Sequence, residues 1–174
     1  MSSGVYTNIN DSLLSKIPDS GQTSSHTNVF GEDSDYTGNQ LSYTDNGDGT
    51  ITDNITGLMW QQIDDDTLRS KDEAASHCND KILGNANYSD WRLPTIYELI
   101  SIVDYSKKNP AIDPIFIGTD NQYWSSTISS QSWGWFVYFS AGVTRDSTYP
   151  YNKNYAVRCV RNNSELGLWS QDFY

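Results

Sequence analysis

The chain has 174 residues, of which 36% are hydrophobic and 13% aromatic, and this length is enough for one domain with a core of its own. Its formal net charge is -11, and the acids are concentrated early: residues 1–66 hold eleven acids and one base, whereas residues 67–174 hold eleven acids and ten bases. This charge excludes nucleic acid as a partner, and because no long apolar run is present we expect no insertion into a membrane.

Residues 1–40 are rich in Ser, Thr, Asn, Asp and Gly, so we predict an extended polar arm or loop layer. Within it, "GEDSD" places Glu32, Asp33 and Asp35 close together. Clustered carboxylates are ligands that Ca²⁺ takes, although the spacing is not that of an EF-hand. The sequence therefore leaves a structural calcium ion open at these three residues and predicts no other cofactor.

A hairpin is predicted in "SYTDNGDGTITDNITGLMWQQ". Its Asn-Gly and Asp-Gly pairs mark turns beside two short β-type runs, Thr50 to Asp53 and Leu58 to Gln61. Turn conformation explains Asp45 and Asp48 better than metal binding does. The acids that follow, Asp64 to Asp66, are predicted to lie in a solvated loop before a helix.

Two helices are predicted, each from a capping box in which a Ser or Thr and a Glu three residues later satisfy free amides of the first turn. Ser70 with Glu73 begins the first helix, and Thr95 with Glu98 begins the second. The predicted buried faces are Ala74, Ala75 and Cys78 in the first helix and Ile96, Leu99, Ile100 and Val103 in the second.

From Tyr123 onward the apolar pattern has period two, which indicates strands. In the run from Trp133 to Phe139 we predict that the odd-numbered side chains are buried, so that Trp133 and Trp135 are packing residues. The run from Tyr155 to Arg161 alternates in the same way. A hairpin, two helices and then antiparallel strands predict an α+β domain.

The two cysteines, Cys78 and Cys159, are far apart and form no CxxC motif. We favour a single long-range disulfide, which requires an oxidising compartment. The only histidines are His26 and His77, and His77 is a poor partner for a nucleophilic Cys78 because adjacent helix positions point in different directions. Since no nucleophile elbow, phosphate loop or HExxH is present, we expect that the protein is not an enzyme.

Five motifs, in order, give a resemblance to a known family: "DNGDGTITDNITGLMWQ", "YSDWRLPTIYELISIVDY", "YWSST", "WFVYFSAGV" and "YAVRCVR". Together they closely resemble the Lcl C-terminal domain family, named for a bacterial collagen-like adhesin. The resemblance implies a C-type-lectin-like fold over residues 41–161, with two helices on small antiparallel sheets and long loops. Residues 1–40 would then be an arm and residues 162–174 a tail. In this fold a disulfide commonly joins the first helix to the last strand, which agrees with Cys78 and Cys159.

The resemblance further implies a non-catalytic binding or adhesion module of an exported bacterial protein, located in the periplasm, at the cell surface or outside the cell. No signal peptide is visible, so export would mean that a leader has been removed. The family's namesake adheres to sulfated polysaccharides, but an acidic chain opposes a polyanion, and we expect a glycan or a surface protein as the ligand. The Glu-Pro-Asn and Trp-Asn-Asp triplets of calcium-dependent lectins are absent from the sequence.

Ligand binding is predicted in the segment from Thr144 to Asn154, with the Ile128 to Ser132 connection as a second exposed stretch. The first segment combines flat aromatic and adaptable polar side chains, as binding surfaces do. The predicted ligand-binding residues are Arg145, Asp146, Tyr149, Tyr151, Asn152 and Lys153. Three alternatives remain open: a retroelement-diversified receptor-binding protein, an oxidative enzyme related to the formylglycine-generating enzymes, and a structural spacer domain. The sequence predicts no oligomeric state.

Overall fold

A computed structural model describes residues 40–118, 122–130, 133–146 and 153–163. These residues form an α+β fold with two helices and two small antiparallel sheets, in agreement with the C-type-lectin-like class. The strands are β1 Tyr43–Asp45, β2 Thr50–Asp53, β3 Leu58–Gln61, β4 Gln122–Ile128, β5 Gly134–Tyr138, β6 Val143–Asp146 and β7 Val160–Asn162, and the helices are α1 Lys71–Asn79 and α2 Ile96–Ser101.

The first sheet has the strand order β1-β2-β3-β7. The predicted strands β2 and β3 are confirmed with the same bounds. The Asn-Gly and Asp-Gly pairs join β2 to an additional strand, β1, which the sequence pattern does not reveal. Gly47 and Gly49 adopt φ values of 73° and 83°, a conformation that side chains with a Cβ rarely accept, which explains the glycine at both turn positions.

Both helices begin at the predicted capping boxes. The Ser70 hydroxyl accepts a hydrogen bond from the amide of Glu73, and Thr95 does the same for Glu98. In each box the glutamate carboxylate accepts a hydrogen bond from the amide of the capping residue. These caps fix where α1 and α2 start, and buried side chains of α1 (Ala74, Cys78) and α2 (Ile96, Leu99) then face the sheets.

The second sheet has the order β4-β5-β6 and is covered on both faces along most of β4 and β5. The prediction that the odd-numbered residues are buried holds for Val137 and Phe139, but Trp135 is only half-buried, and Phe136 on the even face is buried as well. Val137 packs into one core cluster and Phe136 into another, while Trp135 is half-buried against the first. The period-two pattern is correct, but each face of the strand has its own core to fill.

Two core clusters divide the interior. The first core cluster includes Ile51, Leu58, Trp60, Leu99, Val137, Phe139, Ala156 and Val160. The second core cluster includes Met59, Ala74, Cys78, Trp91, Trp124, Phe136, Tyr155, Val157 and Cys159. Several strands contribute alternate side chains to both clusters, so neither cluster belongs to one sheet alone.

The segment from Tyr155 to Val160 lies between the two clusters and alternates as predicted. Tyr155, Val157 and Cys159 enter the second cluster, whereas Ala156 and Val160 enter the first. A disulfide joins Cys78 of α1 to Cys159 in this segment, as predicted. No helix in the described ranges is long and apolar enough to cross a membrane.

Reduction of the disulfide should lower the free energy of unfolding. The bridge closes a loop with a sequence separation of 81 residues, and the chain-entropy model gives about 4 kcal/mol for a loop of this size. Urea unfolding with and without a reductant measures the difference. The double variant Cys78→Ser/Cys159→Ser is the control, because a reductant should leave its stability unchanged, and an equal response in both proteins would contradict the prediction.

Candidate functional site

The predicted ligand segment begins on a strand rather than in a loop. Arg145 and Asp146 belong to β6, whose pairing with β5 places Arg145 opposite Phe136 and Asp146 opposite Trp135. The expectation that both residues lie in a loop is therefore wrong, since strand pairing continues to Asp146. Among the described residues β6 lies at the edge of its sheet, and its residues from Val143 to Arg145 are exposed.

Arg145 and Asp146 point to opposite faces of the sheet, because successive side chains of a strand alternate. Arg145 shares a face with Phe136, which lies in the second core cluster. Asp146 shares a face with Trp135, which packs against the first. A ligand resting on one face can contact only one of these two charged side chains.

The other predicted ligand residues fall into two groups. Lys153 is exposed, two residues before the buried Tyr155. Tyr149, Tyr151 and Asn152 lie outside the described residues, and so does the connection from Gln131 to Ser132. Arg145, Asp146 and Lys153 therefore stay predictions, now assigned to a strand edge and to an exposed position beside the core.

Trp135 of β5 and Trp133, the residue before this strand, are less buried than core residues would be. Trp133 and Trp135 are both half-buried, whereas Phe136 and Val137 between the clusters are 5% and 0% exposed. The Trp133 amide donates a hydrogen bond to the Ser129 hydroxyl, which closes the hairpin between β4 and β5. Both residues are thus partly open to solvent, and Trp135 is paired with Asp146 on β6.

A buried polar cluster that the sequence does not suggest is formed by Asp64, Tyr123 and Arg158. Asp64, predicted to be solvated, is only 6% exposed and accepts a hydrogen bond from the Tyr123 hydroxyl. Arg158, 2% exposed, has its Nη2 atom 4.0 Å from the same carboxylate. Burial raises the pKa of Tyr123, so its hydroxyl stays a donor at neutral pH.

Arg158 binds backbone rather than a ligand. Its Nη1 donates to the carbonyls of Gln61 and Gln62 at 2.8 and 2.5 Å, and its Nη2 donates to the carbonyl of Ile117 at 3.0 Å. The guanidinium also lies 5.3 Å from the ring centroids of Phe116 and Tyr123. Its position thus couples the end of β3 to the segment before β4.

A small cavity adjoins this cluster, lined by Phe116, Tyr123, Phe139 and Arg158 among others. Its volume of about 20 Å³ is enough for one water molecule and far too small for a sugar ring. Within the described ranges the Arg158 Nε–H is buried without a hydrogen-bond partner. The cluster is therefore a structural part of the interior, and this cavity cannot hold a sugar ligand.

The sequence model of one known family, described as the Lcl C-terminal domain, matches residues 49–161, more than half of the chain. The chain belongs to the Lcl C-terminal domain family. No curated protein matches it. The match runs from the start of β2 into β7, so both core clusters and the buried polar cluster lie within the Lcl domain.

The acids that lead into the Lcl domain are engaged in turns. Asp45 accepts a hydrogen bond from the amide of Gly47, and Asp48 accepts from the amides of Thr50 and Asn85. In the part of the chain that the structure describes, no three acidic, histidine or cysteine side chains are grouped to hold a metal ion. The predicted calcium ligands Glu32, Asp33 and Asp35 lie outside those residues.

The candidate nucleophilic pair, Cys78 and His77, has structural roles in the Lcl domain. Cys78 is 0% exposed and bonded to Cys159, so it has no free thiol while the bridge is intact. Burial lowers the pKa of His77, whose Nε2 lies 3.8 Å from the Asp65 carboxylate. The cysteine route to an oxidative enzyme would therefore require reduction of a buried disulfide.

A second buried acid carries an unfavourable charge. Asp53 is 1% exposed, and burial raises the pKa of its carboxyl group. Its Oδ1 accepts from the amides of Ile55 and Thr56, which shapes the turn into β3, whereas its Oδ2 has no partner among the described residues. The side chain is thus needed for the turn, not for its charge.

Sequence reasoning missed Asp64 and Arg158, although one signal for Arg158 was present. The alternation from Tyr155 to Val160 assigns Arg158 to the same face as Ala156 and Val160, and both of these are apolar. A charged residue on an apolar face predicts a buried charge that needs partners. For Asp64 no local signal exists, because its partner Tyr123 is 59 residues away in sequence.

Asp64→Asn should destabilise the Lcl domain by about 3 kcal/mol, because it leaves the buried Arg158 without a countercharge. Asp66→Asn is the matched control from the same acidic run. Asp66 is exposed and has a φ of 50°, a conformation that asparagine tolerates, so its replacement should change stability little. Urea unfolding of both variants tests the difference, and equal stabilities would contradict a role for the Asp64 charge.

Asp53→Asn should become more favourable relative to the unchanged protein as pH rises. A carboxyl group whose pKa is raised on folding contributes stability below its ordinary value of 3.8, and that contribution is lost as pH rises through the folded-state value. The asparagine keeps the Oδ1 acceptor of the turn. The measurement is the difference in unfolding free energy between the two proteins at pH 4 and pH 7. Asp45→Asn is the control, because hydrogen bonding from Gly47 lowers the pKa of Asp45 and the pH trend should not have the same sign.

Proposed function

We propose that this Lcl domain is a non-catalytic, extracellular binding module that recognises a glycan or a surface protein at the β5–β6 end of its second sheet. The observation that carries the proposal is the contrast between this end and the rest of the domain. Most of β4 and β5 is covered on both faces, whereas β6 is exposed from Val143 to Arg145 and brings charged side chains next to half-buried tryptophans.

Three features support a surface site of this kind. The cavity beside Arg158 is too small for a ligand of more than one or two heavy atoms. Lys153 is exposed, so its ammonium group can donate hydrogen bonds to a ligand. The residues between β6 and Lys153 add Tyr149, Tyr151 and Asn152, and tyrosine supplies a large contact area for little lost side-chain entropy.

The disulfide supports the extracellular location in this proposal. The disulfide between Cys78 and Cys159 persists in an oxidising compartment, such as the periplasm or the cell exterior. Both cysteines of the chain are used in this bridge. A module that holds its shape through a buried bridge suits recognition outside the cytoplasm.

A glycan array probed with the whole chain, with calcium and with a chelator, tests the proposed function. We expect binding to a defined group of glycans, and Tyr149→Ala/Tyr151→Ala should weaken it by roughly tenfold or more because two aromatic contacts are lost. The thermal midpoint should stay unchanged. Tyr97→Ala is the control, because Tyr97 is a tyrosine of α2 that is 80% exposed and does not belong to the proposed segment.

The outcomes separate the possibilities. If the double tyrosine variant loses thermal stability together with binding, those residues are part of the core and the assignment of the site is wrong. If the chain binds no glycan and captures no purified surface protein, the proposed function fails. If binding disappears with the chelator, calcium belongs to the site, and Glu32, Asp33 and Asp35 become the residues to replace.

A further inference from the structure

We propose that the ligand surface is the Trp135–Asp146 face of the β5–β6 pair, and that it takes a neutral sugar ring rather than an anionic one. This inference rests on the proposed function and narrows it to one face and one class of glycan. It follows from the pairing of β5 with β6, which separates the acidic and basic residues of the predicted site.

The first step is the position of Asp146 relative to the tryptophan. Asp146 and Trp135 are directly opposite on neighbouring antiparallel strands, so their Cβ atoms are about 5 Å apart on one face of the sheet. Alternation assigns Trp133 to the same side, and both residues are half-buried. Trp135 packs against the first core cluster and is partly open to solvent, so it offers a flat aromatic ring that the core holds in place.

The second step is the chemistry that such a pair recognises. The carbon-bound hydrogens of a pyranose ring form an apolar face that can stack on an indole, while the hydroxyl groups project from the ring edge. A carboxylate at that edge accepts hydrogen bonds from two neighbouring hydroxyls, and charged acceptors form the stronger hydrogen bonds. Asp146 is half-buried and forms no hydrogen bond or ion pair with another residue that the structure describes.

The third step is the charge on this face. The only other β6 side chain on it is Thr144, which pairs with Val137 and is exposed. Arg145 projects to the opposite face, beside Phe136. A sulfate or carboxylate on the sugar would therefore meet the Asp146 carboxylate without a basic side chain of β6 to offset the repulsion. The face selects for neutral rings.

The test compares Asp146→Ala with Arg145→Ala, two neighbouring residues of one exposed strand that project to opposite faces. The probes are cellotetraose, chitotetraose and mannan as neutral glycans, and dextran with dextran sulfate as a pair that differs in charge alone. Binding is measured by calorimetry and by the change in tryptophan fluorescence. We expect at least one neutral probe to bind, with a shift in fluorescence, and dextran sulfate to bind no better than dextran.

Asp146→Ala should lower the affinity for the neutral probe by at least about tenfold, because a charge-assisted hydrogen bond is lost. Arg145→Ala should change this affinity less than about twofold. Trp133→Phe should weaken it as well while the thermal midpoint stays unchanged. Equal effects of the two β6 variants, or a larger effect of Arg145→Ala, would overturn the assigned face. Preferential binding of dextran sulfate would overturn the neutral specificity while the proposed function stands. No glycan binding on the full array would overturn the neutral-sugar inference, and the proposed function fails as well only if no purified surface protein is captured.

Discussion

The segment from Tyr155 to Val160 is the constraint on which the rest of the structure depends. Its backbone pairs with Arg69 ahead of α1, with Tyr123 of β4, with Arg92 ahead of α2 and, through β7, with β3. Its side chains alternate between the two core clusters, and Cys159 adds a covalent bond to α1. Both sheets and both helices are thus positioned against one short stretch of chain.

A buried arginine completes this arrangement. Arg158 lies between apolar neighbours in the Tyr155–Val160 segment. Its two Nη atoms donate to three backbone carbonyls with Asp64 as countercharge, while its Nε–H has no partner among the described residues. Removing such a charge from water is costly, and it is tolerated here because these partners are in place. The end of β3 and the segment before β4 are therefore held in one relative position. A shift of either would leave guanidinium N–H groups buried without their carbonyl partners. We attribute conformational specificity, rather than net stability, to this cluster.

Local signals in the sequence were sufficient for the local parts of the fold. The two capping boxes located α1 and α2, and the bounds of β2 and β3 followed from glycine turns and β-type runs. The disulfide was predictable because the chain has only two cysteines. β1 was missed because its three residues carry no apolar alternation, and their strand conformation comes from pairing with β2.

The predicted site illustrates what a sequence pattern cannot supply. Residue types in the segment from Thr144 to Asn154 indicated a surface suited to binding, but they could not indicate that Arg145 and Asp146 lie on a paired strand. Once they do, adjacency in sequence means separation in space, and a mixed cluster becomes an acidic face and a basic face. The same limit applies to β5, where alternation was correct but the existence of a core on each side depends on long-range packing.

The position of the Tyr155–Val160 segment also determines the order in which the domain can fold. The hairpin of β1 and β2, the β4–β5 hairpin and both helices contain local contacts, but elements this short are marginally stable until they pack against the rest of the domain. The two core clusters cannot close, because each needs side chains from the final segment of the domain. The chain loses loop-closure entropy before these contacts stabilise it, so folding that depends on long-range contacts is slow. The aromatic side chains of both core clusters therefore stay exposed to solvent until the Tyr155–Val160 segment is available for packing.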